Sequence, residues 1–181
     1  MDSWGKIIIG LCAAVAAPTA FADSGWYVGA KGGLMIHEGS AFDSAFNGGI
    51  VVGLQGPVKN GTIGLEGEFT ASLMDGDINR NNNNASWDVD TIGLFGVFRS
   101  QGAPYIKAKL GVVDTDDTHR VGFFSQTYSD SNIAFGIGIG SPQRLGNVEL
   151  EFTVINEDIN FLSLGLNFDG PQKQVPARRK R

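Results

Sequence analysis

Eight stretches of this chain alternate apolar with small or polar residues at a period of two: "GWYVGAKGGLM", "GGIVVGLQG", "GTIGLEGEFTASL", "WDVDTIGLFGVFR", "PYIKAKLGVV", "NIAFGIGIG", "NVELEFTVI" and "NFLSLGLNF". That period places successive side chains on opposite faces of a β-strand, and stretches with helical periodicity are missing. Only 6 prolines occur against 26 glycines, so little in the composition obstructs continuous strand pairing. Each stretch is close to the roughly 9–11 residues that a tilted strand needs to cross a bilayer.

The connections between these stretches alternate in length. "PVKN", "SQGA" and "SPQRLG" are short and rich in turn formers. "IHEGSAFDSAFN", "MDGDINRNNNNAS" and "DTDDTHRVGFFSQTYSDS" are long, and only the last connection of that set, "NEDI", is brief. Short turns at one end and long loops at the other are the pattern of bacterial outer-membrane barrels, with both termini on the periplasmic side. The fold expected is all-β: an eight-stranded antiparallel up-and-down transmembrane β-barrel.

Sorting the strands by parity yields one set without charge, including Val28, Leu34, Ile50, Ile63, Phe69, Leu110, Ile137, Phe152 and Leu164. The opposite set contains many glycines together with Lys31, Glu66, Glu68, Lys107, Lys109, Glu149 and Glu151. Alternation alone leaves two arrangements open. A soluble lipocalin-like barrel turns the apolar set inward; a membrane barrel turns it outward. Two details favour the second. Glycine on a solvated face weakens a strand without gain, whereas a narrow barrel interior must be filled by fitted side chains. The charges also balance, with Glu66, Glu68, Glu149 and Glu151 against Lys31, Lys107, Lys109 and Arg99. Closed in a barrel, such groups must neutralise one another. The fourth strand is ambiguous, because Arg99 and Asp90 have opposite parity.

"WYVGAKGGL", followed by "GLEGEF", "YIKAKLGVV" and "LEF", resembles the transmembrane domain of outer membrane protein A and its small relatives, over most of residues 25 to 168. The resemblance implies acidic and basic residues paired inside a largely plugged barrel, a role carried to Glu66, Lys107 or Lys109, and Glu151. It also implies an insertion signal ending at an aromatic residue. "SLGLNF" supplies one at Phe168, although "DGPQKQVPARRKR" follows it. The larger relatives add a peptidoglycan-binding domain, for which this tail has no room.

Residues 1–22 read as a secretory signal, with Lys6, an apolar core from Ile7 to Ala17 and an Ala20-Phe21-Ala22 cleavage site. The one cysteine, Cys12, lies inside it, and Leu11 before it argues against a lipid anchor. Residues 23–168 form the barrel, and 169–181 a basic, flexible periplasmic tail containing Lys173, Arg178, Arg179, Lys180 and Arg181. No run reaches the roughly 18 apolar residues of a membrane helix.

The long loops carry Asp75, Asp77, Asp114, Asp116, Asp117 and Asp130, taken as solvated rather than metal-binding, and "NRNNNNAS", a low-complexity stretch. His37 and His119 are read as loop residues in water, without a serine spaced to complete a catalytic triad. Phe123, Phe124 and Tyr128 are either a contact surface or an anchor in the lipid interface.

The function expected is structural: envelope maintenance or surface adhesion by an integral outer-membrane protein. The alternatives are a narrow, low-conductance porin-like channel, then a lipid-modifying enzyme. No catalytic residue, metal or cofactor is assigned. Outer-membrane lipid, lipopolysaccharide, the barrel-insertion machinery and an extracellular ligand bound by the loops are the expected partners. A monomer is expected, and nucleic acid is not, since the chain has a net charge of −5.

Overall fold

In the computed structural model, which describes residues 25–78 and 85–170, the chain winds into one closed antiparallel sheet. The strands are β1 (Gly25–His37), β2 (Ala45–Val58), β3 (Gly61–Met74), the two-residue β4 (Gly76–Asp77), β5 (Ala85–Ser100), β6 (Tyr105–Val121), β7 (Phe124–Gln143), β8 (Gly146–Val154) and β9 (Ile159–Asp169). β4 continues β3 past a break at Asp75 and pairs with the start of β5, so the barrel has eight staves. β1 pairs with both β2 and β9, and β3 with both β2 and β5, which closes the ring and leaves the barrel wall no free edge. No helix occurs among the described residues. The expected leader, Cys12, most of the expected tail and Asn79–Asn84 lie outside the described residues.

Parity sorts as the membrane arrangement requires. Ile50, Ile106, Leu110, Ile133, Ile137 and Leu164 are each at least half exposed on the outer wall. Lys31, Glu66, Glu68, Lys107, Lys109, Glu149 and Glu151 are all buried inside. Apolar side chains bared around the whole circumference and charges sealed within are stable only where the surroundings are hydrocarbon. The fourth stave, β5, is no longer ambiguous. Arg99 points inward and Asp90 outward, where the Asp90 carboxylate accepts a hydrogen bond from the Ser72 amide at 3.1 Å.

Interior glycine has a local cause at two places. Tyr27 lies opposite Gly53, and Tyr105 opposite Gly140. A Cβ on either glycine would fall 2.1–2.2 Å from the tyrosine ring. The missing side chains let both rings lie flat across the neighbouring strand and bring their hydroxyls to the charges at the barrel centre.

Three features differ from the sequence reading. "DTDDTHRVGFFSQTYSDS" is not a loop: β6 and β7 run on as a paired hairpin to Val121 and Phe124, turning at Gly122–Phe123. Backbone pairing there needs no apolar face, because the ladder hydrogen bonds alone hold the two strands together. His37 and His119 are not loop residues in water; they end β1 and lie within β6, half-buried against aromatic rings. The lumen is also not uniformly ionic. Its end beside the long connections is apolar, built from Met35, Trp87, Val89, Val113, Ile155 and Phe161.

Candidate functional site: the filled lumen and the projecting sheet

The eight residues singled out for the interior network come from five staves and meet in the half of the lumen nearer the short turns. Inward parity on β1, β3, β5, β6 and β8 delivers them: Lys31; Glu66 and Glu68; Arg99; Lys107 and Lys109; Glu149 and Glu151. Lys107 Nζ sits 2.8 Å from Glu66, 3.0 Å from Glu149 and 2.8 Å from Glu151. Lys109 reaches Glu68 and Glu151, each at 2.6 Å, and Lys31 reaches the same two at 2.6 and 3.2 Å. Arg99 spans Glu66 at 2.9 Å and Glu149 at 2.7 Å. Four cations therefore share four carboxylates, and the Lys109 side chain has 0 % of its surface exposed.

Neutral groups complete the shell. Tyr27 donates to Glu66 at 2.6 Å, Tyr105 to Glu149 at 2.7 Å, Asn167 to Glu149 at 2.9 Å and Thr153 to Glu151 at 3.1 Å. Charge-assisted bonds of this kind are the strong ones, and here they saturate carboxylates that burial would otherwise disfavour. Aromatic faces seat the cations from the side: Arg99 lies 4.7 Å from the Tyr27 ring centroid and Lys109 4.3 Å from that of Phe95. Glu66, Glu68 and Glu151 bring carboxylate oxygens within 4.8 Å of one another, a grouping that could hold a metal ion. The lysine ammonium groups already stand between those oxygens and satisfy their charge. The sequence could reveal these residues because charges on one parity must meet once the sheet closes.

Above the network the lumen changes character. Thr70 and Thr91 bond each other across β3 and β5 at 2.8 Å, and the apolar storey lies beyond them. At the mouth beside the long connections, Phe42 from the β1–β2 loop stacks on His37, with ring centroids 4.0 Å apart, and meets Trp87 edge-on at 6.0 Å. His119 packs on Phe42 at 5.6 Å and bonds Asp117 at 3.0 Å. Partial burial pushes the Asp117 carboxyl above its ordinary range, against the opposing pull of His119. The nearby serines turn elsewhere: Ser129 donates to Asp116 and Ser131 to Asp114. His119 thus has a carboxylate beside it, but its recorded hydrogen bond involves no hydroxyl nucleophile. The parity sort passed over this cluster; its signal was the aromatic and histidine content of the first and third long connections.

The second feature is the sheet that rises above the barrel. β7 pairs with β8 only from Phe135 to Gln143, while its Phe124–Ala134 half pairs with β6 alone among the described residues. From Val112, the last outward apolar residue of β6, to Val121 is nine residues, or roughly 20–25 Å of height at an ordinary barrel tilt. The tip is bare: Phe123 is fully exposed and Phe124 85 % exposed. Phe123 and Phe124 stand at the turn of the hairpin, while Tyr128 packs edge-on to His119 with ring centroids 5.8 Å apart. Asp75, Asp88, Asp90, Asp114, Asp116 and Asp130 surround the base of the sheet, with Arg120 paired to Asp75 and Asp88. At the opposite end of the barrel Phe168 faces outward near the end of β9.

No family model matches this sequence, and no curated protein is similar to it. Solved structures are similar in fold. Ail, the attachment invasion locus protein of Yersinia pestis, superposes with a TM-score of 0.53 at 14 % identity, covering 81 % of this chain and 97 % of that one. The crystal structure of Neisserial surface protein A superposes with a TM-score of 0.51 at 10 % identity, covering 79 % of this chain and 96 % of the other. Ail has also been solved in complex with the heparin analogue sucrose octasulfate; that structure matches at 15 % identity with a TM-score of 0.50. The fold is that of a small outer-membrane β-barrel.

Proposed function

We propose that this chain is an integral protein of the bacterial outer membrane, with both termini periplasmic, and that it works as a surface adhesin rather than as a pore or an enzyme. The observation that carries the reading is the contrast between the two ends of the molecule. Among the described residues the lumen is filled with paired charge and apolar side chains, which is the packing of a plug rather than of a pore. The β6–β7 hairpin, by contrast, projects beyond the membrane and presents two bare phenylalanines above an acidic base. Exposed aromatics are costly in water and are characteristic of binding surfaces.

The charge of the sheet limits the partner. The complex of Ail with sucrose octasulfate shows a barrel of this fold with a sulfated polyanion. Here aspartates outnumber the basic residues of the projecting sheet, so a sulfated ligand would be repelled and a neutral or basic protein surface suits it better. Lipid and lipopolysaccharide surround the wall, the barrel-insertion machinery reads Phe168 near the end of β9, and the chain acts as a monomer.

The test is adhesion of cells displaying the protein, compared with cells displaying a version in which residues 116–129 are replaced by a two-residue turn, so that Thr115 still pairs with Asp130. Removal of the hairpin should abolish adhesion while the barrel retains its heat-modifiable gel mobility. Equal adhesion by both would overturn the reading.

A further inference from the structure

We infer that the extracellular mouth of the lumen is sealed by a hydrophobic lid, centred on Phe42, that excludes water independently of the ionic network beneath it. The β1–β2 loop does not stand out in solvent. It folds over the mouth, and several bonds hold it there. Asp43 donates its amide to the Asp77 carbonyl at 2.8 Å, Phe42 bridges to Ile78, and the Trp87 indole donates to the Asp43 carbonyl at 2.7 Å. Glu38 donates its amide to the Asp158 carbonyl at 2.8 Å, tying the loop to the β8–β9 turn. Gly76 makes the close approach possible, since a Cβ there would fall 2.2 Å from the Trp87 indole nitrogen and 2.3 Å from the Asp43 carbonyl oxygen.

Pinned in this way, the loop lowers Phe42 onto the rings of His37 and Trp87. Below it lie Met35, Trp87, Val89, Val113, Ile155 and Phe161, each at most 4 % exposed. Apolar space of this kind stays dry, and an apolar constriction blocks ions by dewetting rather than by charge. The ionic layer lies lower, on Lys31, Glu66, Glu68, Arg99, Lys107, Lys109, Glu149 and Glu151, and shares no side chain with the lid. Two barriers of different chemistry are therefore stacked in one lumen. Loss of either leaves the other closed.

The discriminating experiment places a reporter between the two barriers. Val113→Cys, in a Cys12→Ala background, sits under the lid and above the network. Its reaction with a membrane-impermeant cationic methanethiosulfonate added from the extracellular side is timed in intact outer membranes. With the lid native, labelling should be slow. Phe42→Ser should speed it by about tenfold or more, by raising the population of the open mouth. Phe42→Leu, which keeps an apolar contact, should restore the slow rate, and Tyr105→Phe, which removes a neutral donor from the ionic layer and keeps every charge paired, should leave it unchanged. Should Phe42→Ser fail to show heat-modifiable mobility, His37→Ala loosens the same stack and takes its place. Labelling that is equally fast with and without the lid substitution would overturn the inference. So would a rate raised as much by Tyr105→Phe as by Phe42→Ser.

Discussion

Lys107→Met is expected to destabilise the barrel by about 3–5 kcal/mol, the loss typical when one partner of a buried ion group is removed. Lys107 stands between three carboxylates, those of Glu66, Glu149 and Glu151, at 2.8–3.0 Å. Without it, four glutamates share three cations in the buried lumen. The effect arises less from the lost attraction than from the uncompensated carboxylate left behind. Equilibrium unfolding in urea from lipid vesicles measures it. Adding Glu149→Gln to Lys107→Met restores the balance to three and three and should recover part of the loss, because Tyr105 and Asn167 can still bond the amide. A cost below about 1 kcal/mol, as for exposed pairs, would mean that the interior is hydrated.

Leu110→Arg carries the second large effect and probes the opposite wall. Leu110 is 61 % exposed at mid-height on β6, beside Phe135 of β7. An arginine facing lipid at that depth should cost about 2–4 kcal/mol, falling to about 0–1 near the interface. The same change at Thr118, six residues above Val112 on the projecting part of β6, should be near neutral. The comparison between the two sites removes any general effect of adding positive charge. Near-equal costs at both positions would place Leu110 in water.

How far the fold could be read beforehand differs by stave. β1, β3, β6 and β8 disclose their faces because charge or glycine occupies one parity and large apolar residues the other. β5 resists because its outward row changes from Leu94 and Ile92 to Asp90 and Asp88 where it leaves the membrane, while its inward row is itself apolar at Val89, Phe95 and Val97. A period-two sort assumes one environment per face, and this strand passes through two on each.

The same assumption hid the apolar storey. Met35, Val113 and Phe161 share parity with Lys31, Lys109 and Gly165, and only the closed barrel shows that they occupy a different height. The hairpin beyond Val112 escaped because its strands alternate serine, threonine and aspartate, which resembles a loop. Its cue was a two-residue turn at Gly122–Phe123, where Gly122 takes the left-handed conformation. The ionic network was legible for an electrostatic reason: four glutamates and four basic residues on one buried face leave few arrangements other than mutual pairing.

The central claim is that hydrocarbon surrounds this barrel while its charges face one another inside. Spin labels attached to cysteines at Ile106, Ala108, Leu110 and Val112, with Thr118 as the aqueous reference, test it in lipid vesicles by power-saturation electron paramagnetic resonance. The prediction is high accessibility to dissolved oxygen and low accessibility to a water-soluble nickel complex at the first four positions, with the reverse at Thr118. Nickel accessibility at Leu110 equal to that at Thr118 would contradict the account.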